Sequence, residues 1–160
     1  MFSRKIIQTE DGSATIYIPE WNESYHSKHG ANQEAYHVFI RNGLDEFSAD
    51  KPISILEIGF GTGLNALISL LESEKRNLNV VYTVSKEEFS LLDYPSTLHL
   101  IEGNSHFEEN QIAHLYENLM NSNWEEFLEI TSNFSLKKVQ ADFMEFDYPE
   151  ETFDLIYFDA

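Results

Sequence analysis

The stretch ILEIGFGTGLNAL, Ile55 to Leu67, joins an apolar run to a helix-like one through three glycines in five residues. Upstream, ISILEI (Ile53 to Ile58) is a near-continuous apolar run of strand length, as expected of a strand buried on both faces. From Thr62 the period becomes helical, with Leu64, Leu67, Ile68 and Leu71 on one face. A strand, a tight glycine turn and a helix place backbone amides at a helix N-terminus beside the carboxyl edge of a sheet. Glycine is required where the backbone turns sharply or where a ligand comes closer than a Cβ allows. The pattern therefore predicts a nucleotide-type pocket. It is not a phosphate-gripping P-loop, because Gly63 is followed by Leu64-Asn65 rather than Lys-Ser/Thr. Nor is it a dinucleotide fingerprint, because Leu64 stands where the third glycine belongs. What remains is E-x-G-x-G-x-G, made by Glu57, Gly59, Gly61 and Gly63. An acid just before the turn repels a pyrophosphate but suits the positive ammonium of a methionine moiety.

Working outward, residues 4–18 read as two short strands around Asp11-Gly12, a dipeptide that favours hairpin turns. Ala31, Glu34, Ala35, Val38 and Phe39 fall at helical spacing, with Gly43 where a C-terminal cap belongs. Beyond the glycine turn, NVVYTVS reads as a strand, EENQIAHLYENLMN as a helix burying Ile112, Leu115, Tyr116 and Leu119, and FLEITSNFSLKKVQAD as short strand segments. FDLIYFDA is a last strand. Strands alternating with helices predict an α/β fold with a parallel, helix-covered sheet. The expected organisation is an N-terminal hairpin-and-helix extension over 1–50 and a partial Rossmann-like ligand-binding domain over 51–160, forming one structural unit. A doubly wound sheet has about five to seven strands. Four core strands are legible before Ala160. The expectation is thus a chain whose C-terminal strands are missing.

Composition narrows the class. With 42% hydrophobic and 14% aromatic residues in 160, the chain can bury a core, and without cysteine it has neither disulfides nor a thiolate metal site. No apolar run approaches a membrane span and the start lacks a signal-peptide core, so a soluble, cytoplasmic protein is expected. Ten Lys and Arg against 28 Asp and Glu leave a formal charge of −18, which repels nucleic acid at long range. A polynucleotide partner would need a local basic patch, for which the candidates are Arg4, Lys5, Lys28, Arg41, Lys137 and Lys138.

The glycine motif resembles the first motif of class I S-adenosylmethionine-dependent methyltransferases. That resemblance implies a Rossmann-like fold and a cofactor set of Glu57, Gly59, Gly61, Gly63 and Asn65. It also implies an acid after the second strand for the ribose hydroxyls, met by Glu87, and one after the third near the adenine, met by Asp142. Two stretches narrow it further. DGSATIYIPEWNESYHSKHGANQEAYHVFI resembles the N-terminal signature of the MnmC-type methyltransferase domain, and EIGFGTGLNAL is similar to that family's cofactor loop. VSKEEFSL matches its second-strand acid, with Ser90 where the family usually has proline, and the final YFDA is similar to the start of its D-x-F-x-P segment.

The resemblance implies methylation of the aminomethyl group on a tRNA wobble uridine, giving 5-methylaminomethyl-2-thiouridine. The amine nitrogen attacks the sulfonium methyl in line, so most of the catalysis is proximity and alignment. A carboxylate near the nitrogen would help as proton acceptor or anchor. By position the candidate is Asp159, with solvent as the alternative base and a loop-bracing carboxylate as the alternative role. Tyr25, Ser27 and Glu34 are expected to border the pocket, or else to bond locally in a packed N-terminal flap. His26, His29 and His37 lack the carboxylate spacing of a metal site, and no metal is expected. His99, His106 and His114 lie in polar surroundings. Three rival readings stand: an aminopropyltransferase of the spermidine-synthase type, a small-molecule methyltransferase, and a non-catalytic truncated remnant.

Overall fold

The computed structural model describes residues 3–85, 107–140 and 150–158. Glu87, Asp142 and Asp159, with Ser90, His99 and His106, lie outside the described residues.

The chain opens with a small antiparallel sheet of β1 (Lys5–Gln8), β2 (Ala14–Ile18) and β3 (Glu23–Ser24). The Asp11-Gly12 turn does more than reverse the chain. One Asp11 oxygen accepts from the Thr9 hydroxyl at 2.6 Å, the Ser13 amide at 3.0 Å and the Ser13 hydroxyl. The other accepts from the Gln33 amide at 3.3 Å, and Ser13 Oγ accepts from the Ala31 amide at 3.0 Å. The turn therefore caps, from 20 or so residues away in sequence, the helix α1 (Ala31–Ala35), whose own N-cap Gly30 offers no side chain. A Cβ on Gly30 would run into the Asp11 carboxylate, which is why the cap can come so close.

α1 continues as a π-helical segment, Tyr36–Arg41. Widening the turn shifts the burial pattern. Val38, placed on the apolar face by a 3.6-residue period, is 45% exposed, whereas Phe39 and Ile40 are buried. Gly43 also departs from expectation. Its φ of −134° is not left-handed. Glycine is needed there for room, since a Cβ would meet the Phe39 carbonyl oxygen at 2.5 Å.

The main sheet contains β4 (Ile53–Ile58), β5 (Val80–Ser85), β6 (Phe127–Glu129), β7 (Phe134–Val139) and β8 (Leu155–Phe158), in the order β6-β7-β5-β4-β8. β7, β5, β4 and β8 run parallel, and β6 adds an antiparallel edge on β7. This is the predicted α/β architecture, with the four parallel strands expected. Helices α2 (Leu64–Arg76) and α3 (Glu109–Asn121) pack with the helix of residues 31–41 into one core. The core takes Ile53 and Ile55 from β4, Tyr82 and Val84 from β5, and Phe134 and Leu136 from β7. α2 is buried along every residue from Leu64 to Ser73, wider than the single stripe its sequence suggests, because it lies within this core rather than at its surface. On the other side of the sheet, β8 carries Ile156 at 57% exposure. Below β4, Asp154 accepts from the Ser54 amide and pairs with Lys51 at 2.8 Å, and these bonds hold its carboxyl below the usual value.

Burial alone would raise the Asp11 carboxyl, but the hydrogen bonds from Ser13, Thr9 and Gln33 together outweigh it and hold it below 3.8. Asp11→Ala should cost about 2 kcal/mol in urea unfolding at neutral pH, through the lost cap and turn bonds. A depressed folded value means the contribution is present above the unfolded value and fades as pH falls through the folded one. The gap between wild type and variant should therefore narrow below about pH 4.

Candidate ligand-binding site

β4 carries a carboxylate into the interior. Glu57 is fully buried, and its Oε1 accepts from Asn65 Nδ2 at 3.0 Å while Oε2 accepts from the Tyr82 hydroxyl at 3.1 Å. Burial pushes the Tyr82 phenol far above its usual value, and the neighbouring Glu57 charge pushes it the same way, so Tyr82 remains a donor. The acid thus ties β4 to the first turn of α2 and to β5.

Between Glu57 and Asn65 the chain passes through three left-handed glycines, with φ of 92° at Gly59, 52° at Gly61 and 74° at Gly63. The Gly59 amide donates to the Ser85 carbonyl at 3.4 Å and the Gly63 amide to the Phe60 carbonyl at 2.8 Å. The glycines have different reasons to be there. A Cβ on Gly63 would lie 2.7 Å from Met120 Sδ and 3.2 Å from the Phe60 ring, so Gly63 is a packing glycine. A Cβ on Gly61 would rest in ordinary contact with the Tyr25 ring at 3.7 Å, so among the described residues it is the left-handed backbone that calls for glycine there. Gly63 caps α2 without a side chain, which leaves a helix N-terminus with no side-chain cap at the carboxyl edge of four parallel strands.

The loop is held from behind by α3. The Tyr116 hydroxyl donates to the Thr62 carbonyl at 2.8 Å, and Met120 packs on Gly63. Thr62 Oγ1 and Ser85 Oγ are buried and have no hydrogen-bond partner among the described residues. Buried hydroxyls of this kind beside a glycine turn fit a polar ligand that would satisfy them. The residues present therefore suit a ligand with polar groups and a cationic end.

Of the N-terminal candidates, Tyr25 sits next to the loop. Ser27 and Glu34 bond one another, the Ser27 amide donating to Glu34 Oε2 at 2.6 Å, and the Ser27 hydroxyl accepts from the His29 amide. His26 is buried against Thr15, and exposed His29 meets Glu10 at 2.9 Å. Among the described residues no cluster of three or more His, Asp or Glu could hold a metal ion. Likewise, no helix among them is long and apolar enough to cross a membrane. Lys138, counted above as a candidate for a basic patch, is only 2% exposed and cannot contribute to one. Sequence reading missed Tyr82, Thr62 and Ser85, and placed Lys138 at the surface. Only Lys138 left a usable trace, since the two-residue period of FSLKKV places it inward with Phe134 and Leu136.

Comparison with known proteins bears on this geometry. A solved structure of MnmC2 from Aquifex aeolicus superimposes with a TM-score of 0.72 at 24% identity, covering 100% of this chain and 50% of that one. In sequence, 64 residues are 45% identical to the tRNA 5-methylaminomethyl-2-thiouridine biosynthesis bifunctional proteins MnmC of Burkholderia mallei and Burkholderia pseudomallei. The chain is similar to MnmC-type proteins in sequence and in fold. The sequence match spans 39% of this chain and 9% of those MnmC proteins, and the MnmC2 likeness shows the Rossmann-like fold. No protein-family model matches the chain.

The two glycines should separate by substitution. Gly61→Ala is expected to cost about 1 kcal/mol, for the left-handed backbone alone. Gly63→Ala adds overpacking against Met120 and Phe60, so its total should reach about 2–4 kcal/mol. Urea unfolding of both variants checks the order.

Proposed function

We propose that the chain is an S-adenosylmethionine-dependent N-methyltransferase acting on the aminomethyl group of a tRNA wobble uridine. The observation that carries this reading is the glycine loop at the start of α2, where Thr62 Oγ1 and Ser85 Oγ are buried with no hydrogen-bond partner among the described residues. The MnmC names of its relatives supply the substrate class.

When bound there, S-adenosylmethionine supplies a methyl group already activated on a sulfonium. The protein's task is then placement. Glu57 braces the loop through Asn65 and Tyr82, and its charge makes the loop's surroundings favourable to an ammonium and hostile to a pyrophosphate. Gly61 lets the backbone come within reach, and Tyr25 closes one side. β5 ends at Ser85, two residues before Glu87, and β7 at Val139, three before Asp142. We assign Glu87 to the ribose hydroxyls and Asp142 to the adenine end on that order. Asp159, directly after β8, is the proposed proton acceptor for the attacking amine. The −18 charge favours one second reading, a methyltransferase acting on a small amine instead of tRNA.

Calorimetric titration with S-adenosylmethionine, with NAD as control, tests the reading. Saturable binding of the first alone is expected, and binding of neither by a cooperatively folded chain would overturn it. Glu87→Ala should weaken that binding about tenfold or more, the loss of a charged hydrogen-bonding group. Asp159→Asn should leave binding intact and slow methyl transfer to tRNA by about 100-fold. Full-rate transfer by that variant would remove Asp159 as the base. Transfer to small amines but not to tRNA would favour the second reading.

A further inference from the structure

Lys138 is a buried cation that the proposed chemistry does not use. It lies on the inward face of β7, in register with Val84 of β5, which is itself in register with Glu57 of β4. Its Nζ donates to the Met120 carbonyl at 2.8 Å and the Ser122 carbonyl at 3.2 Å, the last carbonyls of α3 and the turn after it. The same ammonium stands 5.3 Å from the centre of the Phe60 ring and 5.7 Å from that of Trp124. No carboxylate of the described residues lies within 4.0 Å of it. Burial pulls it down to about 8.

An ammonium held only by neutral partners costs folding free energy, and replacing such a group by an apolar one is commonly neutral or stabilising. Its partners suggest what it does instead. Phe60 is the residue between Gly59 and Gly61. Met120 offers its carbonyl to Lys138 and its sulfur to the Gly63 backbone. One charge thus gathers the C-terminal end of α3, where a cation also complements the helix dipole, and the side chain that anchors the glycine loop.

We propose that Lys138 is a positioning residue for the glycine loop, setting the spacing between α3 and residues 59–63 through the α3 carbonyls and the Phe60 ring. Only the identity of the loop's ligand rests on the methyl-donor reading.

The test uses the full chain and three variants: Lys138→Met, Phe60→Leu and the double substitution. Amide hydrogen exchange over residues 59–64 should quicken about tenfold in Lys138→Met while exchange in β1 and β2 stays unchanged. The melting temperature should hold or rise, opposite to what a merely stabilising residue would give. S-adenosylmethionine affinity should fall about tenfold, and the double variant should lose no more than the worse single one, because the two groups act as a unit.

A second readout follows the charge itself. The carbon-13 methyl resonance of Met120 should shift with a midpoint near 8 in wild type and stay flat in Lys138→Met. The other titratable groups on the elements around Lys138 are Glu109, His114, Tyr116 and Glu117 on α3, Glu125 and Glu126 after it, Glu129 on β6, Tyr82 on β5 and Lys137 on β7. All of them are retained in Lys138→Met, so a titration present in wild type and absent in that variant belongs to the Lys138 ammonium.

Unchanged loop exchange and a Met120 resonance that titrates alike in wild type and Lys138→Met would overturn the proposal, whatever the donor does. If wild type binds no donor but the loop loosens in Lys138→Met, the donor reading fails and the positioning role stands. If Lys138→Met does not fold, Phe60→Leu keeps the charge and must still loosen the loop. Unaltered exchange in that variant overturns the proposal equally.

Discussion

A carboxylate taken out of water must be satisfied by the protein, and Glu57 is satisfied by two elements at once. Asn65 reaches it from α2 and Tyr82 from β5. That requirement fixes where α2 starts relative to the sheet, and so fixes the chord the chain spans from residue 58 to residue 64. A chord so short, entered from a buried strand and left into a helix, needs left-handed backbone at Gly59, Gly61 and Gly63. The loop's shape follows from the acid beneath it as much as from its glycines.

The loop is then clamped from the opposite side by groups that have no ligand-binding character of their own. Tyr116 holds the Thr62 carbonyl, Met120 fills the space a side chain at Gly63 would take, and Lys138 draws the end of α3 towards Phe60. On its other side the loop meets the N-terminal segment, where a Cβ on Gly61 would rest in ordinary contact with the Tyr25 ring.

The N-terminal segment belongs to the same economy of contacts. Asp11 and Ser13 cap α1, and α1 with its π-helical continuation buries Ala31, Ala35, Phe39 and Ile40 in the core shared with the sheet. Glu34 accepts from the Ser27 amide, and the Ser27 hydroxyl accepts from the His29 amide. The turn, the flap and the helix therefore hold Tyr25 near the loop without Ser27 or Glu34 having to touch a ligand.

Local patterns carried the fold in the sequence alone. The apolar run of Ile53 to Ile58, the glycine turn and the strand–helix alternation determined a parallel α/β sheet with a glycine turn at its carboxyl edge, because period, turn chemistry and strand length are properties of neighbouring residues. Tertiary structure decided the rest. It made Gly63 a packing glycine and left Gly61 room for a Cβ beside Tyr25, turned Val38 outward, and moved Lys138 from a supposed surface patch to the interior. Those outcomes depend on which distant elements meet, such as Met120 against Gly63 or Asp11 against Gly30, and a one-dimensional pattern holds no record of the space that such meetings leave or fill.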